Sequence, residues 1–139
     1  MTDQQQVRTT DALPGWESAR EATDADGTTT RVQVRHALGS HLRDTYPVGA
    51  LDLELQVAAG SGAGLAAVLE ALFAEQPDRR RIVAAIRPED EAGSALAREA
   101  GMHGVVEVDL PEGGAAVLWV AEAARVAAQS TAVDDLPQT

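Results

Sequence analysis

Leu51-Asp52-Leu53-Glu54-Leu55-Gln56-Val57 alternates apolar and polar residues over seven positions, and the glycine cluster Gly60-Ser61-Gly62-Ala63-Gly64 follows almost at once. Beyond the glycines, Leu65, Val68, Leu69, Leu72 and Phe73 repeat at i, i+3, i+4, i+7 and i+8. A period of two predicts a strand and a period near 3.6 an amphipathic helix, so residues 51–73 read as one strand–loop–helix unit. The short apolar run Ile82-Val83-Ala84-Ala85-Ile86 comes next, as expected of a strand covered on both faces. Such a succession commits the chain to a sheet with a helix packed on it.

The flanking segments extend this layer. Arg31-Val32-Gln33-Val34-Arg35-His36 alternates and predicts a half-buried strand. Pro88-Glu89-Asp90-Glu91 places acids where a helix N-terminus favours them, and Gly101 stands where a C′ glycine belongs, with a short alanine-rich helix between. Val105 to Leu110 reads as a strand, Pro111-Glu112-Gly113-Gly114 as a hairpin turn, and Ala115 to Ala121 as the returning strand followed by a short helix. One helix over 115–129 is the alternative, because Val117, Ala121, Ala124 and Ala128 share a helical face. The expected fold class is α+β, a mixed, partly parallel sheet carrying helices. Residues 1–28 are polar and poor in branched aliphatics; they predict an arm or short edge element, with a turn at Asp24 to Gly27 and Leu13, Pro14 and Trp16 as anchors. The domain proper is expected over 29–126, and 127–139 as a tail.

Composition narrows the function. The 139 residues suffice for one domain with a core, and 45% are apolar, a globular share. Acidic residues outnumber basic ones 22 to 11, a net charge of −11 that repels nucleic acid and anionic membrane alike. There is no transmembrane-length apolar run and no cationic, apolar leader at the N-terminus, so a cytoplasmic protein is expected. The absence of cysteine removes disulfides and thiolate chemistry, and the absence of lysine removes Schiff bases and the P-loop clamp. Four aromatics, Trp16, Tyr46, Phe73 and Trp119, leave the core to Ala, Val, Leu and Ile.

A glycine cluster between strand and helix exposes backbone N–H groups at the positive end of the helix, a setting suited to a pyrophosphate; a plain connecting loop is the other reading. The spacing G-x-G-x-G does not match the dinucleotide fingerprint G-x-G-x-x-G. Instead, Ala59-Gly60-Ser61-Gly62-Ala63-Gly64-Leu65 resembles the Arg/Gln-x-x-Gly-x-Gly/Ala loop of the GNAT superfamily of N-acyltransferases. Residues 88–102 are similar to that superfamily's Asn-x-x-Ala-x-x-Leu-Tyr-x-x-x-Gly-Phe segment, in the same order and with one helix and one strand between. The resemblance spans residues 48–121, about half the chain, and implies a GNAT-like mixed sheet with two packed helices. It also implies that the stretch Ala59 to Leu65, with Asp90, contacts acetyl-CoA or another acyl-CoA. Departures accompany it: Ala59 replaces Arg or Gln, Asp90 replaces Asn, Ala97 replaces the tyrosine that often protonates the departing thiolate, and Met102 replaces Phe. The loop after Val57 is a couple of residues short, and the segment upstream of residue 48 is too short for the strand, two helices and hairpin that form the acceptor site.

Amine acylation needs a base, and the resemblance implies Glu54 in that role; a solvated face shared with Asp52 and Gln56 is the other reading. Ser94, one turn before Ala97, is a weak candidate donor to the thiolate. His36 and His41 are five apart, the wrong spacing for a metal pair, and no metal site is expected. Arg79-Arg80-Arg81 reads as a solvated edge or as a contact to the coenzyme's adenosine phosphate, and Glu107 with Asp109 as an exposed face or a site for a cationic acceptor. Two functions follow. One is an N-acyltransferase acting on an amine, with a small-molecule acceptor or a carrier protein as partner and a homodimer completing the acceptor site. The other is a non-catalytic GNAT-like binding or assembly module.

Overall fold

The computed structural model describes residues 7–42 and 48–123. Seven strands form one sheet: β1 Val7–Thr10, β2 Ser18–Thr23, β3 Thr29–His36, β4 Leu53–Ala59, β5 Arg81–Ile86, β6 His103–Asp109 and β7 Ala115–Glu122. Their order across the sheet is β1-β2-β3-β4-β5-β7-β6. Every neighbouring pair is antiparallel except β4 and β5. A parallel pair requires a crossover, and helix α1, Gly62–Glu75, supplies it. Helix α2, Glu91–Glu99, connects β5 to β6.

The expected α+β class and mixed sheet with two packed helices are what the chain adopts. Residues 1–28, read as an arm or short edge element, contribute more: β1 forms one edge of the sheet and β2 lies inside it. Of the expected anchors Trp16 is half-buried but Leu13 is 54% exposed, and the buried residues of this segment are Ala19 and Ala22 of β2. Small apolar residues every third position in a polar stretch carry little periodic signal, which hid β2. The 115–121 segment is the returning strand β7; the helix expected after it and the 127–139 tail lie outside the described residues.

Two cores flank the sheet. On the helical face, Leu65, Val68, Leu69 and Leu72 of α1 meet Val32, Val34, Leu53, Leu55, Ile82 and Ala84, with Ala97 and Ala100 closing in from α2. On the other face, Val83, Leu118 and Val120 pack with Ala37, Leu42 and Leu110. Ile82 and Ala84 point one way and Val83 the other, so β5 is covered on both sides, as its continuous apolar run predicts.

Local chemistry sets the helix ends. Ser61 caps α1, its Oγ accepting from the Gly64 N–H at 3.0 Å, and Asp90 caps α2 by accepting from the Gly93 N–H at 2.9 Å. Gly101 takes φ +95° just past α2, the left-handed conformation expected of a C′ glycine. The arginine run divides: Arg80 is exposed, as a solvated edge predicts, while its two neighbours are engaged by the protein. Arg79 is buried and donates to the Leu72 carbonyl at the end of α1 (2.6 Å) and to the Leu51 carbonyl (2.9 Å), while Arg81 pairs with Asp52 at 3.0 Å. Burial pulls the Arg79 pKa down.

The start of α1 is seated directly on β3. A Cβ at Gly64 would lie 2.1 Å from the Thr30 Oγ1 and 2.7 Å from its Cβ. Gly64→Ala is therefore expected to destabilise by about 1–3 kcal/mol through overpacking, although alanine is the better helix former. Chemical denaturation of Gly64→Ala in the natural and Thr30→Ala backgrounds checks this: the penalty should shrink when Oγ1 is removed, and an equal penalty in both backgrounds would refute the contact.

Candidate functional site

The parallel ladder between β4 and β5 has only three pairs, Leu53↔Ile82, Glu54↔Val83 and Leu55↔Ala84. Both strands then continue, β4 held by β3 as far as Ala59 and β5 held by β7 as far as Ile86. The β3–β4 register shifts where Arg31/Val32 face Ala59/Val57, a bulge that leaves Ala58 unpaired and bends β4 outward. The strands part, and a cavity of about 600 Å³ opens between Gln56–Ala58 on one side and Ala85–Arg87 on the other. It lies at the carboxyl ends of the two parallel strands, the position where open sheets with parallel strands hold ligands. Past the split, facing backbone N–H and C=O groups have no ladder partner in each other, so an extended ligand with amide groups fits between them.

At the floor of this cavity lies Glu54. It was expected on a solvated face or as a base; it is buried, 3% exposed, with Asp52 buried too at 3%. One carboxylate oxygen accepts from the Arg35 Nε at 2.9 Å and the other faces the His41 Nε2 at 2.8 Å. The His41 Nδ1 in turn faces Glu112 at 2.9 Å, on the turn between β6 and β7. Arg35 stacks over the Trp16 ring, 4.0 Å from its centroid, and Trp16 also lines the cavity. Three sequence-distant segments thus build one polar cluster: β3 supplies Arg35, the segment after the 3-10 helix Ala37–Gly39 supplies His41, and the β6–β7 turn supplies Glu112. Ser40 fixes the approach of His41, its Oγ donating to the Ala37 carbonyl and accepting from the Leu42 N–H.

Electrostatics follow from this geometry. Burial pulls the His41 pKa down, but the hydrogen bonds and negative charges of Glu112 and Glu54 outweigh it, and the net direction is up. The His41 contact pulls Glu112 down in turn. Two carboxylates thus favour the protonated ring more than in a free imidazole, with Nε2 toward Glu54 and Nδ1 toward the half-exposed Glu112.

The predicted coenzyme contacts, Ala59 to Leu65 and Asp90, divide. Asp90 borders the cavity, and its carboxylate is engaged as the α2 cap. Ala59 closes β4, and the stretch from Gly60 to Leu65 does not line the cavity. Its glycines are required by the protein itself: Cβ atoms at Gly60 and Gly64 would run into Thr30, and one at Gly62 would lie 2.5 Å from the Glu99 Cβ. Ser61 N–H donates to Thr30 Oγ1, and Ser61 Oγ donates to the Asp24 carboxylate at 2.6 Å. Ala63 is exposed and Leu65 is in the core. Ser94 donates its hydroxyl to the Asp90 carbonyl, and Ala97 is buried in the core. Glu107 and Asp109 are exposed on the edge strand β6. Sequence reasoning missed His41, Arg35, Trp16 and Glu112 as site residues, because they converge on Glu54 only through the sheet.

A raised His41 pKa stabilises the fold fully below about pH 6.5, its unfolded value, and that stabilisation is lost as pH rises through the higher folded value. Imidazole NMR titration is expected to give a His41 midpoint above 6.5, and Glu112→Gln should move it down. A midpoint at or below 6.5 in the unaltered chain would contradict the bridge.

No family model matches the chain, and no curated protein matches it in sequence. Solved structures do. An uncharacterized protein from Bacillus halodurans superposes with a TM-score of 0.70 at 16% identity, over 84% of this chain and 64% of that one. The aminoglycoside acetyltransferase AAC(6')-Ib in complex with ribostamycin and coenzyme A gives 0.64 at 23% identity, over 85% and 69%. The aminoglycoside N-acetyltransferase AAC(6')-Ib11 gives 0.62 at 18% identity, over 78% and 67%. The chain thus spans just under two thirds of the first of these and little more of the others. The acetyltransferases among these neighbours are GNAT proteins, and their fold superposes on the mixed sheet and two helices of this chain. The chain adopts the GNAT fold.

Proposed function

We propose that this chain binds the acyl-pantetheine arm of an acyl-CoA, or of a carrier-linked pantetheine, between β4 and β5, and transfers the acyl group to a small-molecule amine. The observation that carries this reading is the parting of β4 and β5 above a buried carboxylate, Glu54. A pantetheine arm is extended and carries two amides, which suits the unpaired strand edges. The AAC(6')-Ib structure with ribostamycin and coenzyme A adds support through its shared fold.

The proton balance gives the polar cluster its work. An ammonium group and a thioester yield an amide, a thiol and one proton for solvent. Glu54, at the cavity floor, takes a proton from the incoming ammonium. Its two oxygens already face Arg35 and His41, and a carboxylate has lone pairs to spare for a third donor. Glu54 then gives that proton to water in the open cavity, while His41 holds the carboxylate through Nε2 and is itself held by the half-exposed Glu112 through Nδ1. The nitrogen–acyl bond forms as the carbon–sulfur bond breaks, and the second ammonium proton passes through water in the open cavity to the thiolate, because Ala97 offers no hydroxyl. A second copy of the chain completes the acceptor side in this reading; a strictly monomeric species in sedimentation during turnover would remove that part.

A non-catalytic binding module is the second reading, favoured by the buried Ala97 and by the glycine loop packed against its own protein. Release of thiol from acetyl-CoA across a panel of amines separates the two. Glu54→Gln is expected to cut turnover by about 100-fold or more, the usual share of a general base, with ligand affinity within about threefold. An unchanged rate would sink the role of Glu54, and saturable binding without any turnover would select the module.

A further inference from the structure

The cleft between β4 and β5 fits an amide-bearing arm; the neighbouring glycine loop does not fit the diphosphate of a nucleotide. An anion at a helix N-terminus is held by free N–H groups and the positive helix end. Here two of the protein's own acids stand beside that end. Asp24, from the β2–β3 turn, has one carboxylate oxygen 2.6 Å from the Ser61 Oγ. Its other oxygen accepts from the Asp26 and Thr28 N–H groups at 2.9 and 3.0 Å. Glu99, at the end of α2, lies against Gly62 from the opposite side, its Oε1 2.7 Å from where a Cβ would be. Residues 59–65, from the end of β4 to the first turn of α1, contain no charged residue to offset them. The Ser61 hydroxyl is spent between Asp24 and the Gly64 N–H, and the Ser61 N–H on Thr30.

We infer that Asp24 and Glu99 set the ligand selectivity of this chain: the cleft takes an acyl-pantetheine, and the adenosine diphosphate portion of coenzyme A gains no hold at the glycine loop. This rests on the cleft reading proposed above and narrows its substrate class. A diphosphate brought to the start of α1 meets two carboxylates instead of a free helix end. The Ser61 and Thr28 hydrogen bonds hold the Asp24 pKa below the usual carboxylate value, so it is charged at any neutral pH. Acyl-pantetheine reaches a protein either free or on the arm of a carrier protein, and the chemistry recognised in the cleft is the same.

Calorimetric titration of the full chain with pantetheine and with coenzyme A, at low salt, tests this without any variant. Pantetheine is expected to bind at least as tightly as coenzyme A. Coenzyme A binding tenfold or more tighter than pantetheine would overturn the inference while leaving the cleft reading intact; no binding of either ligand would overturn both. Asp24→Asn keeps an oxygen acceptor for the turn, and together with Glu99→Gln it should raise coenzyme A affinity about tenfold while pantetheine stays within twofold. Equal effects on the two ligands would count against the inference. Titration with a pantetheinylated carrier protein then identifies the source: tighter binding than free pantetheine supports a carrier, equal binding supports the free thioester.

Discussion

Everything that distinguishes this chain from a plain mixed sheet depends on how few bonds join β4 to β5. Three pairs hold them, and beyond Leu55 and Ala84 each strand follows its outer neighbour. Sheet twist and the bulge at Ala58 pull β4 toward β3, while β7 keeps β5 in line. A continuous ladder would have satisfied more backbone groups. The gap leaves polar groups on both edges, and such groups are tolerated where water or a ligand reaches them. The site is therefore a consequence of incomplete pairing in the middle of the sheet, where completing it would be easiest.

The second constraint is charge burial. Glu54 occupies a position that alternation assigns to the face opposite Leu53 and Leu55, and that face turns out to be covered. A carboxylate there must be paired: losing one partner of such a buried pair costs about 3–5 kcal/mol. Arg35 and His41 meet the demand, Trp16 holds Arg35 by stacking, and Glu112 holds His41. Asp52, two residues earlier on the same face, is matched by Arg81 and the Gly49 N–H. The same arrangement that makes the burial tolerable links Glu54 through His41 to the half-exposed Glu112.

The strands and helices were readable because each carries its own period. Residues 51–57 alternate, 65–73 repeat along a helix, and 82–86 run apolar without a break; they became β4, displaced by two residues to Leu53–Ala59, α1, which starts earlier at Gly62, and β5. The glycine cluster was legible as a tight connection between β4 and α1, and its purpose was not. A glycine that admits a ligand and a glycine that admits Thr30 are the same residue in sequence. Arg79 likewise reads as a solvated cation until Leu51 and Leu72 present their carbonyls to it. β2 stayed hidden because its buried residues are alanines spaced three apart, which match no strand period.

The sequence by itself determined the class of fold, the position of its parallel crossover and the carboxylate at position 54, since periodicity and capping are properties of neighbouring residues. The tertiary structure decided what that carboxylate faces, and what the glycine cluster packs against. Those answers come from Arg35, His41 and Glu112 in one case and from Asp24, Thr30 and Glu99 in the other. Each lies many residues away in sequence and is brought near only by strand pairing and the packing of helices on the sheet.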